Sequence, residues 1–154
     1  MTAPDIDAIE SFLRAYIEDH HEFLSWLDVR IESLERGRLV MSVPYTSKLT
    51  NVRPHLDDGT RPEINGGVAA TLIDTAGGFA MYPELGDPVA GGVATINLHV
   101  NYLRRATADL TATAEVVRAG GTIGVSQVTV TGETPDGVVE PVATGQGAYR
   151  LFRP

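Results

Sequence analysis

The chain of 154 residues contains no cysteine. That absence excludes thiol nucleophiles, disulfide frameworks, iron–sulfur clusters and cysteine-ligated zinc together. Lysine is nearly absent as well: Lys48 is the only one, and every other basic side chain is arginine. No apolar run approaches the roughly 18 residues of a membrane span, and the opening Met1-Thr2-Ala3-Pro4-Asp5 has neither the basic nor the apolar part of a secretory leader. These absences point to a cytoplasmic protein with no membrane partner. Basic residues number 12 against 20 acidic ones, a net charge of -8, which argues against nucleic acid or an anionic bilayer as partner. Such an acidic, lysine-poor surface suits a salty cytosol and follows equally from a GC-rich coding sequence. No His-Glu-x-x-His, Walker A or Gly-x-Ser-x-Gly motif is present. Gly145-Gln146-Gly147 lies in a strand-like segment and does not match a dinucleotide fingerprint. What is present suffices for a core: 43% of residues are hydrophobic against 21% charged, and a chain of this length buries about 70% of its extended surface in one domain.

Apolar residues at Ile6, Ile9, Leu13, Tyr16 and Ile17 have helical spacing, and Pro4, Asp5 and Asp7 suit its start. Residues 1–27 are expected to form an N-terminal helical extension and 28–154 the main unit of a single domain. Val29 to Leu34 and Leu39 to Tyr45 read as a hairpin around Glu35-Arg36-Gly37-Arg38. Thr46 to Asn65 has neither period and is longer than most loops of compact domains, which marks it as functional or disordered. Val68 to Met81 has the length of a helix. Beyond it, Thr95 to Tyr102 alternates, with Ile96, Leu98, Val100 and Tyr102 on one face and Thr95, Asn97, His99 and Asn101 on the other. Leu110 to Val117, Ile123 to Thr131 and Val138 to Phe152 follow as strands joined by short antiparallel turns. The plan is α+β, one long helix against an antiparallel sheet.

On a helical wheel, Val68, Leu72, Ala76 and Phe79 share a side flanked by Ala69, Ile73 and Ala80, which is expected to face the sheet. Asp74 falls nearly opposite, its neighbours Ala70, Thr71, Gly77 and Gly78 all small. Two glycines inside a helix destabilise it by roughly 1 kcal/mol each, so something needs close approach there. The plainer reading is a solvated aspartate, with the glycines serving helix packing. Gly66-Gly67 at the helix start supplies free backbone N–H groups at the positive end of the dipole, donors suited to a developing oxyanion. The plainer reading there is a flexible helix entry. Gly66 and Asp74 are eight residues apart, about 12 Å along an axis, too far to touch one reacting carbon. If both act on one substrate, they come from two copies of the chain, so the hypothesis requires a homodimer.

Asn65-Gly66-Gly67-Val68-Ala69-Ala70-Thr71-Leu72-Ile73-Asp74 resembles the His-Gly-Gly, Leu-x-Asp helix signature of hotdog-fold acyl-CoA thioesterases of the phenylacetate-degradation (PaaI-type) branch. Tyr102-Leu103-Arg104-Arg105-Ala106 resembles that family's Tyr-Leu-Arg-Pro-Ala segment, and Leu110 to Val116 also fits; the similarity covers about residues 29 to 152. It implies a hotdog fold, an antiparallel sheet wrapped around one long central helix, here with an extra N-terminal helix. It also implies hydrolysis of an acyl-CoA, an aryl- or phenylacetyl-type ester included, without cofactor or metal, by a homodimer assembling to a homotetramer. Asp74 takes the place of the nucleophile or general base, the Gly66 N–H that of the carbonyl-polarising donor, and Thr95 that of a hydroxyl that helps place water. Two departures stand out. Asn65 replaces the usual histidine, so it can hydrogen-bond a carbonyl but carry no proton. The asparagine about six residues upstream is replaced by Gly59; Asn51 and His55 are the candidates to substitute for it.

Gly67 and Thr71 are further candidates for substrate binding. Arg104, Arg105, Arg118 and Arg150 are candidates for the phosphates of coenzyme A, each with an ordinary surface charge as the plainer reading. Phe79, Met81 and the 46–65 loop are candidates to shape the acyl pocket. His20 and His21 read as surface or packing residues and His99 as part of a polar strand face. Two alternatives remain open: an acyl-CoA-binding domain without activity, favoured by Asn65 and Gly59, and a hotdog enoyl-CoA hydratase, disfavoured because Phe79 stands where a histidine is needed.

Overall fold

The computed structural model describes residues 4–51 and 59–154; His55 lies outside them. Helix α1 (Ile6–Ala15) begins where the Asp5 carboxylate accepts from the Ala8 N–H at 3.1 Å, an N-cap that satisfies an otherwise orphaned donor. A π turn (Tyr16–His20) and helix α2 (Glu22–Trp26) follow. Ile9, Leu13, Ile17, Leu24 and Leu27 are buried in the same core as Leu72 and Ile73 of the central helix, so the N-terminal extension shares the core of the main unit.

Strands β1 (Arg30–Glu35) and β2 (Arg38–Val43) form the expected hairpin, closed by Arg36-Gly37 with Gly37 at φ 79°. The long loop is less featureless than its sequence. A 3-10 turn (Ser47–Leu49) and a bridge between Thr50 and Ile64 tie its two ends together. Helix α3 (Gly66–Phe79) starts two residues before Val68. Periodicity reports buried side chains, and Gly66 and Gly67 carry none.

A 3-10 turn (Tyr82–Glu84) leads to β3 (Gly92–Tyr102), β4 (Leu110–Ala119), β5 (Ile123–Glu133) and β6 (Val139–Phe152). The six strands form one antiparallel sheet in the order β1-β2-β4-β5-β6-β3, with α3 packed across it, the arrangement of a hotdog. One expectation is corrected here. β3 is not joined to β4 by a hairpin but lies beside β6 at the far edge. The connection crosses the strand ends: Leu103 and Arg104 donate to Val142 on β6, and Thr107 donates to Glu133 on β5. Those paired backbone groups let an apparent loop substitute for a turn.

Candidate active site

Asp74 stands in mid-helix with a partly exposed side chain. Thr95 Oγ1 donates to Asp74 Oδ1 at 2.6 Å, a charge-assisted geometry that fixes the carboxylate's rotation. This contact corrects the alternation read from the sequence. The register shifts between Thr95 and Asn97, a β-bulge, and Ile96 is left 56% exposed. Beyond the bulge Leu98 and Val100 pack on the core; before it Val93 packs inward. One extra residue reverses the parity of the strand, so Thr95 shares the helix side with Val93 rather than the outer face with Asn97.

The glycines beside Asp74 have an occupant that the sequence did not name. A Cβ at Gly77, or one at Gly147, would overlap the Tyr149 hydroxyl. Tyr149, fully buried on β6, donates its hydroxyl to the Asp74 backbone carbonyl at 3.0 Å. Ser126 on β5 donates to the Gly77 carbonyl at 2.8 Å. The small residues thus admit a tyrosine and let α3 lie close to the sheet, which is the packing alternative. Burial pushes the Tyr149 phenol well above its ordinary range, and the nearby Asp74 charge adds to the shift. A cleft of about 210 Å³ opens at Asp74 and Thr95, with walls that include Tyr16, Leu24, Phe79 and Tyr82. Met81 is fully buried beside Leu85, Tyr149 and Leu151 and does not line this cleft.

At the other end of β3 a second cleft, about 330 Å³, is lined by Asn51, Asn65, Gly66, Tyr102, Arg104 and Arg105 among others, and shares no residue with the first. Asn65 is the N-cap of α3: its Oδ1 accepts from the Gly67 N–H at 2.8 Å, and its Nδ2 donates to Asn51 Oδ1 at 2.8 Å. The expectation of two free donors is therefore corrected, because the Gly67 N–H is engaged by the cap. Among the described residues no acceptor meets the Gly66 N–H, and one hydrogen of Asn65 Nδ2 remains to donate. Asn51, one of the two loop candidates, is thus the residue that holds the Asn65 amide in this orientation. The Tyr102 ring leaves no room for a Cβ at Gly66, which would come within 2.9 Å of it, and its hydroxyl donates to the Gly66 carbonyl at 3.0 Å.

Other sequence candidates fare differently. Arg104 is paired with Glu140 at 3.0 Å and donates to the Pro141 carbonyl. Arg105 is exposed beside the Gly66 cleft. Arg118 is exposed on β4 and lines neither cleft. Thr71 donates to the Gly67 carbonyl of its own helix at 2.8 Å and lines neither cleft. Sequence reasoning did not place Tyr16, His21, Tyr82 or Tyr149 at the site. Only the last had a signal, the glycines at 77, 78 and 147 that make space for its ring.

Residues 63–139 match the family model of the thioesterase superfamily. A candidate esterase of Halobacterium salinarum is 44% identical over 155 residues, covering 99% of each chain. Among solved structures, a thioesterase family protein from Silicibacter pomeroyi aligns with a TM-score of 0.73 at 27% identity, covering 94% of both chains. A thioesterase from Haemophilus influenzae aligns with a TM-score of 0.71 at 16% identity, covering 99% of this chain and 93% of its own, a likeness of fold.

Proposed function

Because the chain belongs to the thioesterase superfamily and is a thioester hydrolase, we propose that its substrate is an acyl-CoA and that Asp74 and Gly66 of two different copies form each active site. The observation that carries this reading is the placement of the two half-sites at opposite ends of β3: Thr95 reaches Asp74 at one end, and Tyr102 packs on Gly66 at the other. β3 is an edge strand of 11 residues. Long unpaired edges attract another strand. Antiparallel pairing of β3 with its own copy about a two-fold axis near its centre exchanges the ends, so the Asp74 of one protomer faces the Gly66 of the other. This removes the conflict set by a separation of about 12 Å along a single helix. Pairing two such dimers through other faces gives the homotetramer that the resemblance implies.

In this arrangement the thioester oxygen receives hydrogen bonds from the Gly66 N–H and Asn65 Nδ2. The Asp74 carboxylate, rotated by Thr95, takes a proton from water as the water oxygen adds to the carbonyl carbon. The π electrons move to the oxygen held at the helix N-terminus, where backbone donors and dipole stabilise the charge. Collapse expels the CoA sulfur, which leaves with that proton as free thiol. Direct attack by Asp74 would form a mixed anhydride instead, which water then opens; label left in Asp74 after a single turnover in heavy-oxygen water identifies this route, because water that opens the anhydride at the Asp74 carbon leaves its oxygen there. Arg105, beside the Gly66 cleft, suits the CoA phosphates better than ion-paired Arg104.

Asp74→Asn is expected to lower thiol release from a panel of short, medium, long and aryl acyl-CoA esters by roughly a thousandfold with assembly intact. Undiminished turnover in that variant ends the proposal. Saturable acyl-CoA binding by the unaltered protein with no thiol release identifies a binding domain instead.

A further inference from the structure

The N-terminal extension is held rigidly against the Asp74 cleft. Ile9, Leu13, Ile17, Leu24 and Leu27 are buried in the common core, so the segment is a fixed wall and not a lid. The π turn closes hydrogen bonds over five residues in place of four. His21 therefore stacks on Tyr16, five residues earlier, edge to face with ring centroids 5.5 Å apart. His21 Nδ1 also accepts the Leu24 N–H at 3.3 Å, which orients the ring as the cap of α2. Tyr16 in turn meets Phe79 at 6.1 Å, and Phe79 meets Tyr82 at 5.8 Å, both edge to face. This chain of rings joins the extension to the last turn of α3, one turn beyond the carboxylate. Burial raises the Tyr82 phenol, and Tyr16 adds to the effect.

We infer that this extension selects the acyl group, with Tyr16 setting the size of the group that the Asp74 cleft admits. The inference rests on the acyl-thioester reading of the site. In the paired arrangement a carbonyl placed beside Asp74 has one side leading to the partner copy's arginine-bearing cleft, which suits CoA, and the acyl group must take the other. On that side stand Tyr16, Leu24, Phe79, Tyr82 and Val93 around about 210 Å³. A volume of about 150 Å³ is enough for a benzene ring. The cleft is open on one side and lined also by His21, Asp74, Thr75 and Thr95, so the substrate class is an acyl thioester with a ring or a short branched chain against the aromatic wall, which sets how bulky a group fits. Neither the 46–65 loop nor Met81 lines this cleft among the described residues. Tyr16, His21 and Leu24 bring to the wall a segment of the chain that precedes the hairpin.

The test uses the full chain and thioether analogues of acyl-CoA, which cannot be hydrolysed, carrying butyl, phenylmethyl or decyl groups. Their affinities are measured by calorimetry beside thiol release from the matching esters. Tyr16→Ala is expected to raise the affinity for decyl relative to butyl on the order of tenfold, the scale at which pocket size discriminates. Tyr16→Trp should move the phenylmethyl-to-butyl ratio the opposite way, and Tyr16→Phe should leave both ratios at their starting values. Should Tyr16→Ala fail to fold, Phe79→Ala and Tyr16→Trp carry the same comparison. Ratios that stay fixed, or affinities that all fall together, overturn the inference. Ratios that move without any thiol release sustain the wall and remove the hydrolytic reading. Fixed ratios with intact hydrolysis do the reverse, and an unaltered protein that binds no analogue and releases no thiol overturns both.

Discussion

Thr95 acts on Asp74 through a single hydrogen bond of 2.6 Å, and its replacement separates orientation from binding. Thr95→Val keeps the shape of the side chain and loses the donor. We expect kcat to fall about 10- to 100-fold with KM nearly unchanged, because a mis-rotated carboxylate affects the reacting geometry more than the bound ground state. A rise in KM at constant kcat would assign Thr95 to substrate binding. Tyr149 gives a residue-level prediction in pH. Its folded-state value is raised above the ordinary 10 by burial, so the folded state holds the phenolic proton more tightly than the unfolded chain. The resulting stability is complete below about pH 10 and is lost as the pH rises further. Tyr149→Phe should flatten the alkaline loss of stability in denaturant titrations, while lowering stability near neutrality by about 1 kcal/mol through the missing hydrogen bond to the Asp74 carbonyl.

The central helix depends on two features that act over several residues. At its side, Gly77→Ala places a Cβ against the Tyr149 hydroxyl but 3.1 Å from the ring carbon behind it. The single variant should lose about 1 to 3 kcal/mol. Combined with Tyr149→Phe it should recover part of that loss, a coupling visible in a double-mutant cycle of denaturation midpoints. Gly147→Ala should gain far less from the same partner, since its Cβ also overlaps two carbons of the ring itself. At the helix start, Asn65 has φ -60° and ψ 133°, an extended conformation that suits a residue before proline. Gly66→Pro therefore removes the N–H at a position where proline is favoured, and its Cβ, like that of alanine there, displaces the Tyr102 ring. Against Gly66→Ala, which adds a Cβ but keeps the donor, we expect a further loss in kcat of about a hundredfold or more. Equal activities for the two variants would take the oxyanion role from Gly66.

At the scale of the molecule, composite sites predict complementation. A mixture of Asp74→Asn and Gly66→Pro chains, allowed to exchange subunits, contains mixed dimers in which one site keeps both functional groups. Thiol release should return to about a quarter of the unaltered level, against almost none for either variant alone. Charge also acts globally. The chain carries -8, and Arg104, one of the cations beside the Gly66 cleft, is engaged by Glu140. Repulsion of a polyanionic CoA ester should therefore outweigh local attraction at low ionic strength, and KM should fall as salt is added. A KM that rises with salt would show the arginines prevailing.

Much of this was legible in the order of residues. The burial of Val68, Leu72 and Ala76, the long helix, the hairpin and the later strands follow from periodicity, because each reports one face turned away from water. The choice of Asp74 and Gly66 as candidates rests on their types and their spacing along one helix. The absence of cysteine removes a thiol nucleophile whatever the fold. What the order of residues could not supply depends on contacts between distant elements. Alternation placed Thr95 on the outer face, and one bulged residue put it against Asp74. Gly77 and Gly78 announced a close approach without naming its occupant. Tyr149 belongs to the last strand and meets them only because β6 lies under α3, and that packing is decided by which faces of sheet and helix bury together, not by neighbours in the chain.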